Sequence, residues 1–171
     1  TNPYGLEHDT AYGHPECPER LETILNLLKE PIFSDLQVLE SQAAEDEWIE
    51  WAHPSSYIHK IQDLIPDHGC IDVDGEVILS PHSYEAATYA VGALCQATHD
   101  VLSGECQRAF CAVRPPGHHA IDTKAMGFCI FSNIFIAARY AQLKFNIGKV
   151  AIIDFDVHHG NGTDYLVRNS E

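Results

Sequence analysis

Apolar residues recur at helical spacing along much of the chain. Leu21, Ile24, Leu25 and Leu28 share one face of a helix predicted over residues 18–30, and Pro18 suits its first position. Two short helices are predicted over 45–51 and 55–65, divided by Pro54. The clearest helix covers 81–103, with Ser80 as N-cap, Pro81 in the first turn and Gly104 as the stop. Ala87, Val91, Leu94 and Val101 repeat along it at near-helical spacing. A further helix is predicted over 132–144, capped by Ser132 or Asn133, and residues 165–171 read as the first turns of another. Strands are predicted at 36–39, 108–113 and 150–156. The last opens on a wholly apolar run, Val150 to Ile153, the pattern of a strand buried on both faces. Strands alternating with helices indicate βαβ units: an α/β fold, three layers (αβα) around a mainly parallel sheet. Residues 67–81, rich in Gly, Asp and Pro, and 114–128 read as long loops.

Length and composition narrow the class. The 171 residues fit one domain, and 45% hydrophobic with 20% charged residues allows a sizeable core. A formal net charge of −15 argues against direct nucleic-acid binding through phosphates, but an acidic rim would attract a basic substrate. Six cysteines form no Cys-x-x-Cys pair, and Cys95, Cys111 and Cys129 sit within apolar patterns as small buried hydrophobes. Reduced thiols and a cytoplasmic location are the expectation. No apolar run approaches the ~18 residues that span a bilayer, so no membrane partner is expected. No signal peptide is visible, and the chain opens on Thr1 without a Met.

Chemistry concentrates at two places. Asp154-Phe-Asp156-Val-His158-His159-Gly160-Asn161-Gly162 follows the apolar run, and alternate side chains of an extended strand end project the same way. His118-His119 lies in the loop after the 108–113 strand. In a parallel sheet both segments emerge at one rim. His8, His53, His59, His68, His82 and His99, taken singly, read as satisfied core or surface residues. Two tandem pairs beside two acids, flanked by Gly117, Gly160 and Gly162, read as a site. Asp156 and His158 offer one carboxylate oxygen and one imidazole nitrogen to a metal, whereas a catalytic zinc takes three protein ligands and an open position. Asp154 is either a third ligand or an acid that orients a histidine.

Arg114-Pro-Pro-Gly-His-His-Ala120, Gly127-Phe-Cys129 and the stretch from Asp154 to Thr163 resemble the zinc-dependent histone deacetylase superfamily, in its class II form. That branch includes bacterial deacetylase-like proteins and acetylpolyamine amidohydrolases. His14-Pro-Glu-Cys-Pro-Glu-Arg20 and Ser80-Pro-His-Ser-Tyr-Glu-Ala-Ala87 match two more of its segments, so the resemblance runs through nearly the whole chain. It implies an arginase–deacetylase-like fold, present in part, and removal of an acetyl group from lysine side chains or polyamines. The implied partners are an acetylated lysine peptide or an acetylpolyamine. Asp156 and His158 match two zinc ligands. His118 and His119 match the proton-handling tandem, His119 as general base. Asp154 matches the acid paired with His118. Asn161, where class I members carry an acid, stabilises imidazolium less than a carboxylate does. Phe128, Gly127 and Pro116 match substrate-tunnel positions, and Asp74, with Asp72 as the alternative, matches the rim acid. A structural K+ near Asp154 and the backbone of His158 is also implied, besides Zn2+.

The family's third zinc ligand, its oxyanion tyrosine and its second tunnel Phe lie downstream of the last matched segment. Tyr165 is too close in sequence to be that tyrosine. Residues 1–171 are therefore expected to form a single partial domain whose site is incomplete and inactive alone. Self-association or a complementing chain is expected at the unpaired sheet edge. The alternative is a noncatalytic metal-binding or interaction module.

Overall fold

A computed structural model describes residues 1–170; Glu171, which closes the helix predicted over 165–171, lies outside the described residues. The helices predicted over 18–30, 45–51, 55–65, 81–103 and 132–144 are realised with shifts of up to three residues, whereas the one predicted over 165–171 begins four residues earlier, at Asn161. The elements are α1 (Tyr4–Glu7), α2 (Pro18–Leu27), a 3-10 turn (Pro31–Phe33), α3 (Asp46–Glu50), α4 (Ser55–Leu64), β1 (Ile71–Asp72), β2 (Ile78–Leu79), α5 (Ser83–Ser103), α6 (Asn133–Phe145) and α7 (Asn161–Asn169). The single turn of α1 carries no periodic signal in the sequence. Gly104 ends α5 in the left-handed conformation (φ 86°), as its position implies. Asn146 ends α6 in the same way (φ 55°).

The start of α5 differs from expectation. Ser80 does not cap it; the backbone N–H of Ser80 donates to Ser83 Oγ at 2.7 Å, and the helix begins at Ser83. The hydroxyl is drawn into a buried polar cluster with His8, whose Nδ1 lies 2.7 Å from Ser83 Oγ. Tertiary partners have displaced the local cap.

The core lies between α5 and α6 and the short helices beside them. Ile49, Ile58, Ile61, Val77, Leu79, Val91, Cys95, Ile130, Phe131 and Ile136 are buried together. Gly92 lets the backbone of residues 42–44 cross α5 closely: a Cβ there would meet Ala44 N at 2.8 Å and overlap Gln42 O. The Ala44 N–H donates to Thr88 O at 3.0 Å across the same crossing.

The sheet departs most from expectation. Among the described residues the only ladder is the antiparallel pair β1–β2, with Ile71 opposite Leu79 and Asp72 opposite Ile78. It lies inside the region read as loop, closed by Asp72 Oδ1 accepting from the N–H groups of Asp74 (3.1 Å) and Gly75 (2.5 Å). Residues 36–39, 108–113 and 150–156 form no parallel ladder. A strand buried on both faces needs a neighbour on each side, and these segments lack them: Ile153 is 84% exposed and Phe155 96%. An open groove of about 430 Å³ between α5 and α6, lined by Leu94, Val101, Ile134, Ala137, Ile147 and Val150, lies beside the same segments and away from the histidine pairs.

Candidate active site

The loop from Arg114 to Phe128 and the segment from Asp154 to Asn161 meet. His118 Nδ1–H donates to Asp154 Oδ2 at 2.9 Å, and His119 Nδ1–H donates to Asn161 Oδ1 at 2.6 Å. The two rings lie 4.0 Å apart, centre to centre. With each Nδ1 committed to a partner, Nε2 is the nitrogen each ring keeps for other chemistry, and the ring centre of His158 lies 6.1 Å from that of His119. The hydrogen bond from His118 holds the Asp154 carboxyl below the usual carboxylate range, so it stays an anion beside the ring.

Asp154 does not sit on a strand. Its Oδ1 accepts from the N–H of Asp156 at 3.1 Å, and Asp156 Oδ1 accepts from the N–H of His158 at 2.8 Å. Two successive Asx turns therefore shape the segment, where alternation along a strand end had been the expectation. They still bring Asp156 and His158 together: His158 Nδ1 is 3.3 Å from Asp156 Oδ1. Ligands about 2.0–2.1 Å from a tetrahedral ion lie about 3.3 Å apart, so the pair fits one edge of such a site. Both side chains are exposed, and backbone donation from His158 lowers the Asp156 carboxyl. Among the described residues no third His, Cys, Asp or Glu joins them to complete a metal-binding group.

Glycines make this approach possible. Gly127 (φ 49°) and Phe128 (φ 69°) are both left-handed, the two central residues of a tight hairpin turn closed between Met126 and Cys129. A Cβ on Gly127 would overlap the His119 ring. A Cβ on Gly160 would overlap Asp154 Oδ2. The N–H groups of Gly162 and Thr163 both donate to His118 O, at 2.9 and 3.1 Å, so the start of α7 grips the histidine loop. The Phe128 ring is half-buried and packs edge-on against His14, 4.7 Å between centres. Pro116 lines a small pocket of about 140 Å³ with Glu16, Arg20 and Arg114.

Other expected residues are engaged elsewhere. Asp74 accepts from Val77 N–H at 3.2 Å within its own turn and pairs with Lys124 at 3.7 Å. Tyr165 directs its hydroxyl to Asp122 Oδ2 at 3.4 Å. His53, read from sequence as one lone histidine among several, organises the loop. Its Nε2 accepts from Ser132 N–H at 2.9 Å and its Nδ1–H donates to Asp122 O at 3.0 Å. Both partners are backbone atoms far along the chain, so no sequence signal marks them. The six cysteines are free.

Tandem histidines, each with its own oxygen partner, thus stand beside a carboxylate–imidazole donor pair. The profile of the histone deacetylase domain matches residues 14–171, and the chain belongs to the histone deacetylase family. It is 37% identical to the histone deacetylase-like amidohydrolase of Pseudomonas aeruginosa, over 94% of this chain and 42% of that protein. It is 35% identical to the polyamine deacetylase HDAC10 of Rattus norvegicus, over 88% of this chain and 27% of that one. The crystal structure of the HDA15 HD domain superposes with a TM-score of 0.91 at 29% identity, covering 100% of this chain and 49% of that one. The fold is therefore the arginase–deacetylase fold, present in part. The chain spans 15% to 54% of the length of the curated relatives it matches. No helix among the described residues is long and apolar enough to cross a membrane.

Proposed function

We propose that the chain carries part of the active site of a zinc-dependent amidohydrolase that removes an acetyl group from a lysine side chain or a polyamine. The observation that carries this reading is the paired arrangement of His118 with Asp154 and His119 with Asn161 beside Asp156 and His158. Asp156 Oδ1 and His158 Nδ1 would hold the Zn2+. Bound there, zinc would polarise the amide carbonyl and lower the pKa of water from about 15.7 to about 7. His119, its Nδ1–H held by Asn161, would take the proton of the attacking water on Nε2. His118, held by the Asp154 carboxylate, would in its protonated form give a proton to the departing amine. Phe128, Gly127 and Pro116 would line the approach of the aliphatic arm, with Asp74 or Asp72 at the rim. A structural K+ near Asp154 belongs to the same reading.

Residues 1–171 would form one partial domain, inactive alone. An oxyanion donor is typically worth about 10²–10³ in rate, and no group of the described site occupies that role. The unpaired apolar segments favour a second copy or a complementing chain as partner. The net charge of −15 suits a cationic substrate and disfavours nucleic acid. A cytoplasmic location is supported by six free thiols. A second reading is a metal-binding or interaction module without turnover, which the Asp156–His158 donor pair would serve equally.

Zinc titration separates these readings from a misplaced site. One zinc per chain is expected, lost in Asp156→Ala; unchanged metal content in that variant means that the site lies elsewhere. Deacetylation of an acetyl-lysine peptide and of an acetylpolyamine is then measured on the zinc-loaded chain, alone and with a polypeptide supplying the rest of a relative's domain. Turnover on complementation supports the enzyme; its absence from folded, zinc-loaded samples favours the module.

A further inference from the structure

The ion pair between Arg114 and Glu16 is buried, with each side chain only 4% exposed. Arg114 Nε donates to Glu16 Oε1 at 2.5 Å, Nη2 donates to Glu16 Oε2 at 2.8 Å, and Nη1 donates to Gly5 O at 2.5 Å. All three guanidinium nitrogens are thus committed, and 98 residues of chain separate the two partners. Glu16 is fixed in turn. Its backbone oxygen accepts from Thr10 Oγ1 at 2.5 Å, and its Oε2 lies 3.7 Å from Nε2 of His8. Burial and the neighbouring guanidinium hold that histidine neutral. An ion pair this deep seldom stabilises a fold better than well-packed apolar residues of the same size would. Its position in the chain shows a different use. Arg114 stands four residues before His118, and the intervening segment has almost no freedom. Asn133 Nδ2 donates to Pro115 O at 3.1 Å. A Cβ on Gly117 would meet Asn133 N at 2.6 Å and Phe131 O at 2.7 Å. Beyond it, the start of α7 grips His118 O.

We infer that Glu16 and Arg114 are positioning residues for the tandem histidines. Their two-pronged contact fixes the near end of the 114–119 loop, so that His118 and His119 meet Asp154 and Asn161. This inference rests on the proposed site, yet it concerns where the rings stand and not what they catalyse. The amino-terminal segment thereby sets the geometry of a site to which it contributes no reacting group. Arginine is required in this role, because a lysine ammonium cannot reproduce a planar fork shared between a carboxylate and a carbonyl.

The test reads the two imidazole Nδ1–H resonances of the 15N-labelled chain, assigned with His118→Gln and His119→Gln. Glu16→Leu with Arg114→Met removes both charges at similar volume and leaves no buried charge unpaired. The expected result is a folded chain with unchanged or higher Tm that has lost both protected Nδ1–H signals. Signals retained in the folded double variant, whatever its Tm, would mean that the pair is merely structural and overturn the inference. Should the double variant not fold, Arg114→Lys decides. Loss of the signals there supports positioning, and retention overturns it. Zinc content and turnover are read separately on the unaltered chain, so failure of the proposed activity is distinguishable from failure of this inference.

Discussion

The backbone N–H of Ser132 donates to Nε2 of His53 across 2.9 Å, which fixes the tautomer of a histidine that has no exposed surface. Nδ1 must then carry the proton that reaches Asp122 O. A second proton on Nε2 would destroy the contact with Ser132. Burial drives the pKa of His53 from 6.5 to about 4, against the opposing pull of the Asp122 carbonyl. Burial, with Arg114 nearby, drives that of His8 from 6.5 to about 3.

Acid should therefore weaken the fold before carboxylates protonate. Between the two pKa values of each histidine the unfolded chain binds a proton that the folded chain refuses. Stability is fully present above pH 6.5 and is lost as pH falls from 6.5 toward 4. The slope is about 1.4 kcal/mol per pH unit for each histidine. Urea unfolding at intervals between pH 7 and pH 5 measures it, and His53→Gln should remove about one proton from the slope. A flat unfolding free energy over that range would contradict the neutral assignment.

Gly127→Ala should both destabilise the chain and move His119. Left-handed backbone costs an alanine about 1–2 kcal/mol, and the new Cβ overlaps the His119 ring. Gly75→Ala is the control, since Gly75 is also left-handed (φ 91°) but has nothing within 4 Å of the added Cβ. The Tm of Gly75→Ala should fall by about 2–8 °C, and that of Gly127→Ala further. Equal losses would mean that the ring contact carries no energy.

Gly162→Ala tests whether packing outweighs propensity. Alanine in a helix is intrinsically better than glycine by about 1 kcal/mol, but here its Cβ would meet His119 C at 2.5 Å and overlap Ala120 O. Backbone cannot turn aside as a side chain can. The variant should lose stability and the two hydrogen bonds that α7 makes to His118 O, read as faster amide exchange at residues 162 and 163.

Asp154→Ala removes the partner of His118 and the acceptor for Asp156 N–H together. Zinc affinity, measured by competition with a chromophoric chelator, should fall by about 10–100-fold, the usual cost of losing an orienting partner. Asp156→Ala should instead abolish binding.

Phe155→Lys should leave the fold intact and reduce self-association, because the side chain is 96% exposed and lies on an unpaired segment. Sedimentation of the chain and the variant over a concentration series checks this. Identical association would place the contact on another surface.

The sequence by itself determined the helices from α2 to α6, because a 3.6-residue apolar period is a local property that each segment carries alone. α4 and α6 start and end within a residue of their predicted limits; α2 stops three residues early. It also determined which residue types gather at the two histidine pairs, because those motifs are contiguous. Tertiary structure decided the rest. His118 meets Asp154 across 36 residues and His119 meets Asn161 across 42, separations that no local pattern encodes. Ser80 lost its capping role to a buried cluster, and His53 gained one through backbone partners invisible in sequence. The parallel ladders expected at 108–113 and 150–156 are not formed among the described residues for the same reason. An apolar run makes a strand only when neighbours on both sides accept its hydrogen bonds and cover its faces, and the described chain does not provide them.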